Sequence, residues 1–305
     1  MTGLVIVNNE RVDAIIQVVL DGLTSDNSRR AYGVALREFM GWYAATGQSR
    51  LDKATVQAYK AKLQADGLAP STINLKLSAV RKLAAEAADN GVLDQGLANG
   101  IGKVRGVKTA GTRVGNWLTQ EQAQRLLNSP DVMTVKGLRD RAVLAVMVGC
   151  GLRRSEVAAL TVQHVQQREG RWVVVDLVGK GLRVRSVPMP SWAKAALAAW
   201  TQAAGIADGL IFRATRKGGH LDGESMTPQA IADVVRFYSA QVGTPIAAHD
   251  LRRTFAKLAH KGSGKLDQIQ LSLGHASIKT TERYLGVTQD LQDAPCDHLG
   301  LRLEI

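Results

Sequence analysis

Apolar residues in the first hundred positions recur at the period of an α-helix. Tyr32, Leu36, Phe39, Met40 and Tyr43 fall at i, i+4, i+7, i+8 and i+11, one face of a 3.6-residue repeat. Ser28 or Asp26 can cap that helix, and Gly47 follows it. An apolar-rich helix over Arg11–Leu23 precedes it. A third, Thr55–Asp66, is stopped by Gly67. Pro70 and Ser71 open a fourth, with Ile73, Leu77, Val80, Ala84 and Ala87 on one stripe and Gly91 behind it. Residues 1–98 therefore predict a four-helix module.

Between residues 99 and 116 the periodicity lapses. Gly100, Gly102, Gly106, Gly111 and Gly115 alternate with Lys103, Arg105, Lys108 and Arg113, and no acid interrupts them. Glycine at that density predicts a flexible connector. It is either a solvated linker or one that lies along phosphates. From Trp117 regular patterns return. Thr119 and Gln122 make a capping box, and helices recur to about Leu160. Trp172–Val178 and Arg183–Val187 are β-rich runs joined across Gly179-Lys180-Gly181, a hairpin signal. Helical patterns resume over Ser191–Ala204, Pro228–Gln241, His249–His260, Leu266–Leu273 and Ser277–Leu285. The fold class expected is mainly α: an N-terminal helical domain (1–98), a basic linker (99–116), and a mostly helical α/β domain with one small sheet (117–305), ending in a tail (291–305).

Composition narrows the function. The chain has 305 residues, 45% hydrophobic and 22% charged, which excludes a wholly disordered chain. Two cysteines, Cys150 and Cys296, cannot frame a disulfide scaffold and fit a reducing compartment. The longest apolar run, Ala142 to Leu152, is far short of the roughly 20 residues of a spanning helix. The N-terminus lacks the basic start of a secretory signal, so the cytoplasm, at the nucleoid, is the expected location. Lys+Arg 39 against Asp+Glu 27 leave a net charge of +12. A pI near 9.9 is the footprint of a nucleic-acid binder. Both halves share the excess: residues 1–110 carry 14 bases and 10 acids, the remainder 25 and 17. Two basic modules could close on a duplex from opposite sides.

Four stretches carry candidate chemistry. In Gly151-Leu152-Arg153-Arg154-Ser155-Glu156 an arginine stands where one helix ends and another begins. Its guanidinium fork suits phosphate oxygens, and it equally suits a surface pair with Glu156. Lys180 stands between two glycines at the hairpin tip, as a mobile proton donor or a solvated turn lysine. His249 and Arg252, three apart, share a helix face. In Leu273-Gly274-His275, Gly274 ends a helix, and Tyr284 follows His275 by nine residues.

Taken in order, Arg153, Lys180, His249, Arg252, His275 and Tyr284 resemble the tyrosine recombinase (phage integrase, Xer-type) family. Its pattern is G-x-R-x-x-E, a hairpin Lys, H-x-x-R, L-G-H and a terminal Tyr. The helical N-terminal module also looks like that family's SAM-like core-binding domain, so the resemblance spans the chain. It implies a site-specific recombinase acting on double-stranded DNA with paired sites. Tyr284 would attack a scissile phosphate, giving a 3′-phosphotyrosine and a free 5′-hydroxyl, and exchange would proceed through a Holliday junction. Arg153, Arg252 and His275 would stabilise the phosphorane, with Glu156 orienting Arg153. His249 would accept the tyrosine proton, and Lys180 would protonate the leaving oxygen. No metal or other cofactor is implied. The family acts as a tetramer, and the tail with Leu299, Leu301, Leu303 and Ile305 would dock on a neighbouring protomer. Lys103, Arg105, Lys108 and Arg113 are expected on the DNA backbone.

Three competing readings use the same residues. The adjacent His249-Asp250 could begin a metal-dependent phosphohydrolase site. A non-catalytic DNA-binding relative would lack a catalytic residue. A type IB topoisomerase would share the chemistry without pairing sites. Should Tyr284 not be the nucleophile, Tyr238 is the next hydroxyl to test.

Overall fold

In the computed structural model, α1 (Asn9–Asp21), α2 (Asp26–Ala45), α3 (Lys53–Ala65), α4 (Pro70–Asp89) and α5 (Gln95–Gly102) form a first unit, Met1–Thr112. The residues described are 9–48, 50–108, 116–179, 184–216, 218–262 and 264–285, with the side chains of 9–12, 283 and 284 excepted. The expected stripe on α2 is the buried one. Leu36, Phe39 and Tyr43 are wholly buried, and Phe39 meets Tyr59 of α3 edge-on at 4.9 Å. Leu77, Val80 and Ala84 of α4 complete this core.

The start of the expected linker is not loose. Residues 99–102 belong to α5, which Asp94 caps by accepting from the Leu97 amide, and Ile101 is wholly buried. Beyond it the chain is strapped to the same unit. Asn74 clasps Val107 by donating to its carbonyl at 3.0 Å and accepting from its amide at 2.7 Å. Lys60 donates to the Arg105 carbonyl, Arg81 to that of Val104, and Val104 is buried. Glycine lowers helix propensity, but burial of Ile101 and Ala98 overrides it. Arg113 lies outside the described residues.

The second unit is Arg113–Ile305. It runs α6 (Gln120–Asn128), α7 (Val135–Gly149), α8 (Arg154–Ala158), β1 (Val165–Arg168), β2 (Arg171–Val178), β3 (Val184–Pro188), α9 (Ser191–Ala203), β4 (Ala214–Thr215), β5 (Leu221–Asp222), α10 (Pro228–Gln241), α11 (Ala248–Lys261), α12 (Leu266–Leu273) and α13 (Ile278–Leu285). Helix α7 is buried along Ala142–Val148 and is covered by α6, α9, α10 and α11. The capping box of α6 forms as its residues predict, Thr119 accepting from the Gln122 amide and Gln122 from the Thr119 amide. The sheet is antiparallel in order β1-β2-β3, and β4 and β5 pair in a separate small hairpin. Helix α12 packs on β3, α11 and α13, which brings the His249–Arg252 stretch and the stretch of His275 to one place. The architecture is mainly α with a small sheet, as expected. Among the described residues no helix is long and apolar enough to cross a membrane.

Candidate active site

The apolar α7 stops at Gly149, and the chain reverses through Gly151, whose φ of 60° is left-handed. A Cβ there would lie 2.6 Å from the ring of Phe255 on α11, so this turn accepts only glycine without rearrangement. The turn delivers Arg153 to the start of α8. Glu156, one helical turn on, accepts from the Arg153 amide at 2.8 Å and from its guanidinium at 2.7 Å. The Arg153 side chain stays 28% exposed, against 5% for Glu156.

Helix α11 carries His249 and Arg252 on one face, and Asp250 accepts from the Ala247 amide at its start. Arg252 is 1% exposed. It donates to the carbonyl of Gly151 at 2.7 Å and to that of Leu273. One guanidinium therefore binds the turn before Arg153 to the turn before His275, stretches more than a hundred residues apart in sequence.

Helix α12 ends at Gly274, left-handed at φ 61°, and His275 follows. The His275 ring Nδ1 lies 2.9 Å from the hydroxyl of Thr281, which is wholly buried in α13. The backbone of Tyr284 lies in α13, one residue before Leu285, which is 1% exposed and anchors the helix to Ala256, Ile269 and Leu273. Lys180 lies outside the described residues, as does the tail 291–305.

Arg153, His249 and Arg252 line an open cleft of roughly 710 Å³ with Arg154, Arg236 and Asp250. The field there is strongly positive. Burial, followed by Arg252 and Arg253, lowers the His249 pKa. Burial, then Arg252, Arg153, His249 and Arg185, pushes His275 down to about 4. Both imidazoles are thus held toward the neutral form in a cationic setting, where a proton acceptor or a neutral donor is available. Burial alone would raise the Glu156 carboxyl. The hydrogen bonds from Arg185 and the Arg153 amide, with the guanidinium charges, outweigh it and hold the pKa at about 2.

Two residues of this cluster escape the sequence reading. Arg185 on β3 grips Glu156 with both terminal nitrogens, at 2.9 and 2.8 Å, and donates from Nε to the Ser272 carbonyl at 2.9 Å. Alternation along β3 could have flagged it, since Arg185 shares a face with the wholly buried Val187 and so needs a buried partner. Thr281 is the second. Tyr238, the alternative hydroxyl, is removed from the cleft chemistry. It is 6% exposed and donates to the buried Asp140 at 3.1 Å. Burial and that carboxylate raise its pKa, which opposes a nucleophilic role. Lys103, Arg105 and Lys108 are exposed on the first unit.

Comparison with known proteins follows the same division of the chain. Residues 116–290 match the phage integrase family and residues 18–91 the phage integrase N-terminal SAM-like domain. The chain is 29% identical to tyrosine recombinase XerD of Pseudomonas aeruginosa over 287 residues, 90% of this chain and 91% of that one. It is 31% identical to tyrosine recombinase XerC of Xanthomonas campestris pv. campestris over 260 residues, 83% of this chain and 76% of that one. Among solved structures it shares its fold with a XerH site-specific recombinase bound to difH substrate, with a TM-score of 0.68 at 19% identity, covering 93% of this chain and 82% of that one. A lambda integrase (75–356) dimer bound to a COC′ core site gives 0.68 at 13% identity, covering 98% of each chain.

Proposed function

The chain belongs to the phage integrase family and is a site-specific DNA recombinase of the tyrosine type, and from that premise we propose that Tyr284 is its nucleophile and Arg153, Lys180, His249, Arg252 and His275 its catalytic set. The observation that supports this most is the positive cleft into which Arg153, His249 and Arg252 converge, with His275 within electrostatic reach of all three.

The chemistry follows from the residue types. The Tyr284 oxygen attacks the scissile phosphorus, its proton passing to neutral His249. The bond from phosphorus to the 5′-oxygen breaks, and Lys180 supplies the proton that oxygen needs. The energy of the phosphodiester is kept in the phosphotyrosine, so no ATP is consumed. Charge building on the non-bridging oxygens meets Arg153 and Arg252, fixed donors that need no reorganisation. Where Thr281 donates to Nδ1 of His275, the imidazole carries its proton on Nε2 and offers it as a third donor. The 5′-hydroxyl of a second strand then reverses the step, and two rounds exchange the duplexes through a Holliday junction.

DNA is the partner. We further propose that the working form is a homotetramer on two sites, assembled by exchange of the tail 291–305, and that it works in the cytoplasm, at the nucleoid. The first unit, with α5 and the segment strapped to it, is read as the core DNA-binding domain, and the second unit as the catalytic domain. The strapped segment 103–108 leaves Lys103, Arg105 and Lys108 exposed, which suits them to phosphate.

The test is a two-plasmid reaction in EDTA, with each plasmid carrying the recombination site the protein selects from a random duplex library. Joined products in EDTA support the proposal. Relaxation of supercoils without joining favours the topoisomerase reading, and loss of all activity in EDTA favours a metal-dependent phosphohydrolase.

A further inference from the structure

We propose that Arg185 is a positioning residue for strand cleavage. It neutralises Glu156 from behind, so that the charge of Arg153 faces the phosphate, and it ties the β2–β3 hairpin to the His275 turn. The proposal rests on the recombinase reading and deepens it.

The argument begins with one carboxylate and two guanidiniums. Glu156 Oε1 accepts from Arg153 at 2.7 Å and from Arg185 at 2.9 Å; Oε2 accepts from the Arg153 amide and from Arg185, both at 2.8 Å. Each oxygen is thus used twice, which is its capacity. The two cations are not equivalent. Arg185 is 9% exposed, whereas Arg153 is 28% exposed and lines the cleft. With Arg153 and Glu156 alone, the pair would be neutral, and an incoming phosphate would meet a dipole. With Arg185 behind, the trio carries one net positive charge, and the exposed member presents it.

The backbone is built to bring Arg185 there. Pairing between β2 and β3 slips between Val174 and Leu177, with Asp176 at a φ of 54°, and Leu177 faces Arg185. The absent Cβ of Gly274 would lie 2.8 Å from Arg185 Cδ, so glycine at this left-handed position is what admits the side chain. The Nε bond to the Ser272 carbonyl then fixes β3 to the end of α12. In sequence, Lys180 is five residues before Arg185 and His275 three residues after Ser272. One buried side chain thus joins β3 to the helix that Arg153 opens and to the end of α12, just before His275.

The experiment measures single-turnover formation of covalent protein–DNA adduct on a nicked suicide duplex, with DNA affinity and thermal unfolding followed alongside. The proteins are wild type, Arg185→Met, Arg185→Lys, Glu156→Gln and the Arg185→Met/Glu156→Gln double variant. Removing a fixed contribution to transition-state charge typically costs about 10² to 10³ in rate. Arg185→Met is expected to slow adduct formation by about that factor while DNA affinity stays within about twofold. Arg185→Lys should fall between, since an ammonium keeps the charge but not the fork. The distinguishing result is the double variant, which should be faster than Arg185→Met alone, because the neutral amide of the Glu156→Gln change leaves Arg153 no anion to neutralise. Should Arg185→Met fail to fold, Arg185→Lys with and without Glu156→Gln reads the same coupling. A wild-type rate in Arg185→Met, or a double variant slowed by the product of the two single effects, would overturn the proposal, since multiplied effects mean that the two residues act on cleavage independently. Absence of adduct from wild type would instead overturn the recombinase reading beneath it.

Discussion

Replacing Glu156 by glutamine keeps the side chain's shape and removes its charge, and the consequence for stability can be worked out from the fold. The carboxyl sits at about 2 in the folded chain against 4.5 for the unperturbed group. A carboxylate lowered by folding stabilises the fold above its unfolded value, and that contribution is lost as pH falls through the folded value. The window therefore runs from about pH 4.5 down to 2, and the shift corresponds to on the order of 3 kcal/mol at neutral pH. The assay is urea denaturation at a series of pH values, followed by tryptophan fluorescence. Of the five tryptophans, Trp117, Trp172, Trp192 and Trp200 lie in the second unit, so the signal reports the unit that holds Glu156. His275 adds a second slope. Its value is about 4 folded against 6.5 unfolded, so wild type and variant both lose stability as pH falls from 6.5 toward 4. The difference between the two curves isolates Glu156. It should be about 3 kcal/mol at pH 7 and close between pH 4.5 and 2. Curves that run parallel through that window would refute the assignment of Glu156 as a carboxylate stabilised by Arg185 and Arg153.

Three further outcomes are expected. Lys180→Ala should slow cleavage by about 10² to 10⁴, and a 5′-phosphorothiolate substrate, whose sulfur leaves without a proton, should restore it; no rescue would remove Lys180 as the acid. Changing Lys103, Arg105, Lys108 and Arg113 together to alanine should weaken binding to every sequence alike and flatten the slope of log K against log salt by roughly three to four units, at about 0.9 per contact; an unchanged slope would make them plain solvated charges. Gly151→Ala should destabilise the second unit by about 1–3 kcal/mol in urea, through the left-handed φ and the 2.6 Å approach to Phe255, and should slow cleavage as the carbonyl that holds Arg252 moves; unchanged stability would show that the turn relaxes.

The sequence is most legible where a side-chain period or a motif carries the information. The stripe from Tyr32 to Tyr43, the box at Thr119 and Gln122, and the stop at Gly274 each depend on neighbours within a turn or two, and each forms. Helix α5 is illegible because Gln95–Gly102 holds three glycines, and only burial of Ile101 against a core assembled elsewhere makes it helical. The motif residues can be named from the chain alone, but what holds them cannot. Arg252 grips carbonyls 101 and 21 residues away, and Arg185 grips Glu156 across 29. Such bonds leave no local spacing to read. The alternation of β3, which puts an arginine on the face of Val187, is the one available sign of Arg185.

The central claim, that Tyr284 is the nucleophile of a metal-independent strand transfer, is tested most directly by the covalent intermediate itself. Wild-type protein and Tyr284→Phe would be incubated in EDTA with a nicked suicide duplex carrying the selected site, then separated on a denaturing gel, with binding measured in parallel. The account predicts a covalent adduct at the 3′-phosphate from wild type and none from Tyr284→Phe, with DNA affinity near equal in the two. An adduct from Tyr284→Phe would contradict it.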